Sequence, residues 1–350
     1  MPEQTTTTPR ASASPRTLMA VLFALSLVAG AVTPLQGRVN SALSSAVADP
    51  ILAALMSFSS GLAAMVLVTL LVPSGRRAAS EVLPALRRGQ VRWWYYSAGF
   101  IGACLVFTQS LTIPVIGVAV FTVAMVTGQV VGGMGVDRLG LTPAGVQRIG
   151  PRRLVGAALA LAAVLVVVWP QLGEALGGAA NTGGAGADAG AAEGAGVLWL
   201  LMAAIPVVAG FGTSVQQVFN GRQSAAYGSP IPVTLINFLA GTALLGLIYL
   251  GKAVVAGASG PLPAVWWMYM GGPLGCVFIG VSALLVPRIG AFLTTLGLVA
   301  GQLLGSLLLD TVAPVDGAAV SAWTVVGTLG ALAAVVLASW SGGVKRVPRA

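Results

Sequence analysis

The sequence contains no histidine, and only 8% of its 350 residues are Asp, Glu, Lys or Arg. A soluble globular domain carries about 25% charged residues, because they cover the surface that water wets. The shortage excludes a water-soluble enzyme. Without histidine there is no Ser-His relay, no H-E-x-x-H zinc site and no imidazole proton switch. The two cysteines, Cys104 and Cys276, lie inside apolar runs and read as small buried hydrophobes rather than redox or metal groups. Acids are the scarcest charged class: all nine fall in termini, linkers or the ends of apolar runs, so no carboxylate is expected near a span centre. A Walker-type G-x-x-x-x-G-K-S/T loop is missing as well, and no cofactor or ATP is implied.

What is present is apolar: 57% of residues are hydrophobic. A helix needs ~20 residues to cross the hydrocarbon core, and it must close its own backbone hydrogen bonds there. Apolar runs near 18–35, 50–73, 94–112, 114–136 and 152–170, then 197–219, 230–251, 265–286, 287–309 and 319–340, predict ten transmembrane helices in an all-α integral membrane protein. Asp49-Pro50 and Ser229-Pro230 supply an N-cap residue before a first-turn proline, and Pro114 and Pro287 are expected to open two further helices. With the N-terminus in the cytoplasm, 16 of the 18 Lys and Arg residues fall on the inner side, and only Arg38 and Lys252 fall outside. The positive-inside bias therefore predicts cytoplasmic N- and C-termini, and the +9 charge is topological, with no call for nucleic acid.

Residues 1–17 and 341–350 read as polar, disordered cytoplasmic tails, and 171–196, rich in Ala and Gly, as a flexible external linker. The linker separates two copies, 18–170 and 197–340. A shift of 180 residues aligns Ala29-Gly30 with Ala209-Gly210, Gln36 with Gln216, Asn40 with Asn220, Pro50-Ile51 with Pro230-Ile231, and Phe58 with Phe238. A shift of 173 aligns Trp93-Trp94 with Trp266-Trp267 and Pro114-x-Ile116-Gly117 with Pro287-x-Ile289-Gly290. It also sets Gly128-Gln129-x-x-Gly132-x-x-x-x-Asp137 on Gly301-Gln302-x-x-Gly305-x-x-x-x-Asp310. Five spans per copy is an odd number, so the copies are expected to enter the membrane from opposite faces as inverted repeats. The duplication also argues against cleavage at the small residues Ala29-Gly30-Ala31, because the first span has a counterpart in the second copy.

The paired Pro-x-Ile-Gly and Gly-Gln-x-x-Gly-x-x-x-x-Asp motifs resemble the drug/metabolite transporter superfamily and, more narrowly, its YdcZ-type inner-membrane exporters, over roughly residues 18–340. The resemblance implies a bacterial inner-membrane carrier. It transfers an activity class and no substrate or site residues.

Polar side chains inside spans should avoid lipid. Gln36 with Asn40, and Gln216 with Asn220, are four residues apart and share a helical face in equivalent helices. They offer either substrate-binding amides or interhelical hydrogen bonds. Arg38 breaks the internal symmetry, its counterpart being Val218; it reads as an attractor for an anionic solute or as a snorkelling cation. Gln129 and Gln302 sit between glycines four apart, as pore-lining groups or in tight helix packing. Asp137 and Asp310 read as gating or proton-coupling groups, or as partners of cations and caps of backbone. Gln109 and Asn237 are further isolated polar candidates. The Trp pairs fit interfacial anchors better than a cation-binding box. The leading expectation is a secondary transporter of a small organic solute, monomeric or homodimeric, in contact with membrane lipids. A non-transporting scaffold or assembly subunit is the alternative, and an intramembrane enzyme a distant third.

Overall fold

A computed structural model describes residues 15–141, 151–181, 187–313 and 320–339, and among these there is helix and no strand. The helices are α1 (Pro15–Val47), α2 (Pro50–Leu71), α3 (Pro73–Ser80), α4 (Val82–Arg87), α5 (Ala98–Ile116), α6 (Val118–Arg138), α7 (Pro151–Asn181), α8 (Ala187–Tyr227), α9 (Pro230–Ala256), α10 (Gly271–Val312) and α11 (Ala322–Ser339). Short 3-10 turns at Trp93–Ser97 and Trp266–Tyr269 precede α5 and α10. Among the described residues, eight stretches are long and apolar enough to cross a membrane. Two shorter apolar stretches, Leu154–Pro170 and Ala322–Leu337, stand where the fifth and tenth spans were expected. Helix extends into the Ala/Gly-rich segment from both sides, to Asn181 and from Ala187. The tail residues 1–14 and 340–350 lie outside the described residues.

Several boundaries differ from those expected. α1 does not stop near residue 35 but continues through Pro34 to Val47, so Gln36, Arg38 and Asn40 lie inside it, and α8 likewise runs on to Tyr227. Nor does proline mark the next breaks. Pro114 sits within α5, which ends at Gly117 with φ 79°, and helical backbone extends through Pro287 in α10, which with the turn before it carries two separate candidate spans, Trp266–Leu285 and Thr294–Val312. In a membrane the one carbonyl that a proline frees is readily re-satisfied by neighbouring groups, whereas a left-handed residue ends the ladder.

Burial is reversed relative to a soluble protein. Leu67, Leu71, Leu247, Leu250, Val254 and Val255 are exposed, while Asn40, Gln109, Asn237 and Gln302 are buried. Trp93 and Trp266, at equivalent positions before α5 and α10, face outward as interfacial aromatics do.

The repeat is written into the contacts. A Cβ on Gly30 of α1 would fall 2.0 Å from the Leu298 carbonyl of α10, and one on Gly210 of α8 would fall 1.9 Å from the Met125 carbonyl of α6. Reciprocally, Gly301 abuts the Leu27 carbonyl and Gly128 the Val207 carbonyl. These pairs interchange under the same 180- and 173-residue shifts. Along both seams the residue numbers rise together, so α1 runs parallel to the second part of α10, and α6 parallel to α8. Their counterparts α2 and α9 pack antiparallel: Leu55 meets Gly246, and Gly61 meets Phe238. At the crossing, Phe58 packs on its own counterpart Phe238 with ring centroids 4.9 Å apart. A pseudo-two-fold axis therefore passes between these rings, across the helices, and the halves are inverted.

Equivalent turns carry one difference. Gly228 between α8 and α9 has φ 69°, and its counterpart between α1 and α2 is Ala48, with φ 51°. A left-handed L-residue costs roughly 1–2 kcal/mol. Ala48→Gly is therefore expected to raise the thermal unfolding midpoint in detergent, and Gly228→Ala to lower it by the equivalent of about 1 kcal/mol.

Candidate functional site

The buried amides assemble around the axis in two clusters. On the side of the α1–α2 turn, the Asn40 Nδ2 group donates to Gln109 Oε1 of α5 at 3.0 Å. Asn40 Oδ1 and Ser57 Oγ both crowd Gly271 at the start of α10. Asn40 Oδ1, Ser57 Oγ and Gln109 Nε2 are buried with no hydrogen-bond partner among the described residues. On the other side the cluster is closed. Asn237 Nδ2 of α9 donates to Asn220 Oδ1 at 2.8 Å and to the Val233 carbonyl, and Asn237 Oδ1 accepts from Gln216 Nε2 at 3.2 Å. Between the clusters, Gln36 lies against Gly275 and the tip of Phe238, and Gln216 against Gly102 and the tip of Phe58.

The sequence repeat explains why the clusters are unequal. Ser57 stands where the second half has Asn237, and Gln109 where it has Ser282. Each half therefore places one amide on a different helix, and the glycines at 102, 271 and 275 leave the room that an amide head fills.

The remaining candidates separate from this column. Gln129 and Gln302 lie on the close-packed seams, where the Gln129 carbonyl accepts from Ser214 Oγ at 2.8 Å. Arg38 is half-buried, and its charge acts on Asp310 across the α1–α10 seam. Asp310 accepts from the backbone N–H groups of Val118 and Ala119, at 3.3 and 2.6 Å. It thus caps the first turn of α6 just beyond the Gly117 break, from the opposite half of the protein. Asp137 lies in the last turn of α6, and its side chain lies outside the described residues. Arg222 donates to the Leu141 carbonyl at 2.9 Å and to the Tyr95 hydroxyl at 3.2 Å.

One constellation was not anticipated. Asp49, 3% exposed, caps α2 through the N–H groups of Ile51 and Leu52, as its sequence position suggested. Its other oxygen, Oδ2, also accepts from Lys252 Nζ and Ser259 Oγ of the second half. Lys252 Nζ donates further to Ser259 Oγ at 3.1 Å, and the Ser259 N–H donates to the Tyr249 hydroxyl. Burial by itself would raise the Asp49 carboxyl, but Lys252, Ser259 and the two backbone donors outweigh it and hold the group below the ordinary carboxylate range. The available signal was a lone acid and a lone lysine that the charge count assigns to one face.

Inverted repeats and an apolar exterior define a multi-pass helical membrane protein. The family model described as "Putative inner membrane exporter, YdcZ" matches residues 21–166 and again 200–337. The chain belongs to this family of inner-membrane, multi-pass proteins, which is not a family of enzymes. Inner membrane protein YdcZ of Escherichia coli (strain K12) is 33% identical over 111 residues, 31% of this chain and 74% of that protein. A solved structure described as "Crystal structure of protein" superposes with a TM-score of 0.49 at 19% identity, covering 92% of this chain and 96% of that one.

Two outcomes follow. Asp310→Ala removes a buried cap and should destabilise the folded protein by about 1–2 kcal/mol in reversible unfolding, with Asp310→Asn intermediate. The Asp49 contribution to stability, fully present above the ordinary value of 3.8, is lost as pH falls through its depressed value. The difference in unfolding midpoint between the native protein and Asp49→Asn should hold steady from about pH 7 to 5 and shrink only in stronger acid.

Proposed function

We propose that the chain is a secondary carrier that exports a small, polar, uncharged or net-neutral solute by alternating access, with both termini in the cytoplasm. The observation that carries this reading is the column of amides, Asn40, Gln109, Gln36, Gln216, Asn237 and Asn220, astride the pseudo-two-fold axis where α2 and α9 cross. Buried polar groups are costly in a bilayer, and a row of them that crosses the axis between inverted repeats, running from one side of it to the other, is where a transported solute has to pass. Neutral donors and acceptors suit a neutral solute, because a net charge would be desolvated there without a counter-charge. The unpartnered atoms on Asn40, Ser57 and Gln109 are the first contacts such a solute would satisfy.

Among the described residues no carboxylate belongs to this column, and Asp310 is engaged with the α6 backbone. Transport is therefore uniport or exchange rather than proton-driven. The competing reading, a non-transporting scaffold or assembly subunit, draws on the amides already bonded to one another through Asn237.

Proteoliposome flux separates the two. The solutes to test are polyols, neutral amides and zwitterionic amino acids. Flux of at least one, unchanged on collapse of a proton gradient, is expected. Gln36→Ala, Asn40→Ala, Gln216→Ala and Asn220→Ala should each lower it by about tenfold, the kinetic equivalent of one buried hydrogen bond. Flux of none of them would favour the scaffold, and flux insensitive to all four substitutions would remove the column as its path.

A further inference from the structure

The inverted repeats should build the same structure at both membrane faces, and they do not. At the face carrying the α1–α2 turn, Asp49 from the first half joins Lys252 and Ser259 from the second. They rest on an apolar cluster of Leu43, Val47, Leu52 and Ala53, packed against Tyr249, Met268 and Tyr269 of the other half. The Tyr269 hydroxyl donates to the Pro263 carbonyl at 2.7 Å, which ties down the segment that carries Ser259. The counterparts of Asp49, Lys252 and Ser259 at the opposite face are Ser229, Val72 and Ala79, which cannot form an ion pair. There the structure has a shallow surface hollow of about 590 Å³ lined by Arg77, Glu81, Tyr227, Ser229 and Leu284. The hollow beside Ser229 thus has no counterpart of the Asp49–Lys252 pair, and the halves are held at that face by neutral contacts and by Arg222, which bonds Tyr95, with Gln223 on the Tyr95 carbonyl and Tyr227 against Tyr96.

We propose that Asp49, Lys252 and Ser259 form the latch of a gate: joined, they hold the repeats together at the α1–α2 face, and they part when that face opens to the amide column. This inference rests on the carrier reading above. Its chemistry favours a switch over a static staple. Lys252 is partly exposed, so water can take over its hydrogen bonds when the halves separate. Asp49 keeps its cap of α2 in either arrangement, because the capping contacts use Oδ1 and the latch uses Oδ2. Two discrete states of one interface, biased by a few contacts, are what alternating access requires.

Ser57→Cys provides a reporter. Ser57 is buried on α2, two turns inward from Asp49 and beside Asn40, and Cys104 and Cys276 are replaced by Ser in the same protein. In proteoliposomes, a membrane-impermeant maleimide applied from the α1–α2 face is expected to label position 57 slowly. Lys252→Met and Asp49→Asn should each speed that labelling by about tenfold, as a shifted open population does. Lys252→Arg, which keeps the pair, should stay near the slow rate. Labelling no faster in Lys252→Met and Asp49→Asn would overturn the proposal, as would Lys252→Arg labelling as fast as Lys252→Met. Because the readout needs no solute, absent flux with an intact labelling response counts against the carrier reading, and flux with an unresponsive label counts against the latch.

Discussion

Everything in this fold depends on two seams where helix backbones touch without side chains between them. Lipid tails are as apolar as leucine, so a membrane helix gains nothing by hiding leucine from its solvent, and packing must come from close approach. Gly30, Gly297, Gly301 and Gly305 bring α1 and α10 to that distance, and Gly128, Gly132 and Gly210 do the same for α6 and α8. Each seam joins one repeat to the other. Neither half is finished alone, because the second copy of a helix is what fills the groove presented by the first.

Once the seams are closed, α2, α5, α9 and the start of α10 meet around the Phe58–Phe238 crossing, and the polar groups have to find partners there. The cluster around Asn237 satisfies its amides internally, whereas the cluster around Ser57 leaves polar atoms over. A fully satisfied network makes a rigid core, and an incomplete one keeps a cost that binding can relieve. Exact symmetry would have given two identical clusters. The exchange of one amide between helices gives the column one end whose hydrogen bonds are complete and one where Asn40, Ser57 and Gln109 each keep an unpartnered atom.

Much of this was legible because it was periodic or local. The aligned glycines, prolines and tryptophans revealed the duplication, and the duplication required inversion. Asp49 and Ser229 announced their helix caps by standing before prolines, and Asn40 and Asn220 announced their burial by their spacing from Gln36 and Gln216. Contacts between distant segments left no such trace. Asp310 caps a helix that begins 192 residues earlier, and Lys252 meets an acid 203 residues away. The continuation of α1 beyond Pro34 was hidden by polarity, since Gln36, Arg38 and Asn40 look like the end of an apolar run until their buried partners are known. The gating or coupling role considered for Asp310 has to share the residue with a structural one, which only the Gly117 break makes visible.

The two copies are not quite equal in length, and the inequality has a use. Between α2 and the tryptophan turn the first half has 21 residues, 72–92, containing α3 and α4 and five arginines, whereas between α9 and its tryptophan turn the second half has nine, 257–265, and no basic residue. A body that maps onto itself when turned upside down offers the insertion machinery little reason to prefer either way of threading it. The arginine-rich surplus is where the positive-inside bias would take hold, as ballast weighting one end of an otherwise reversible object.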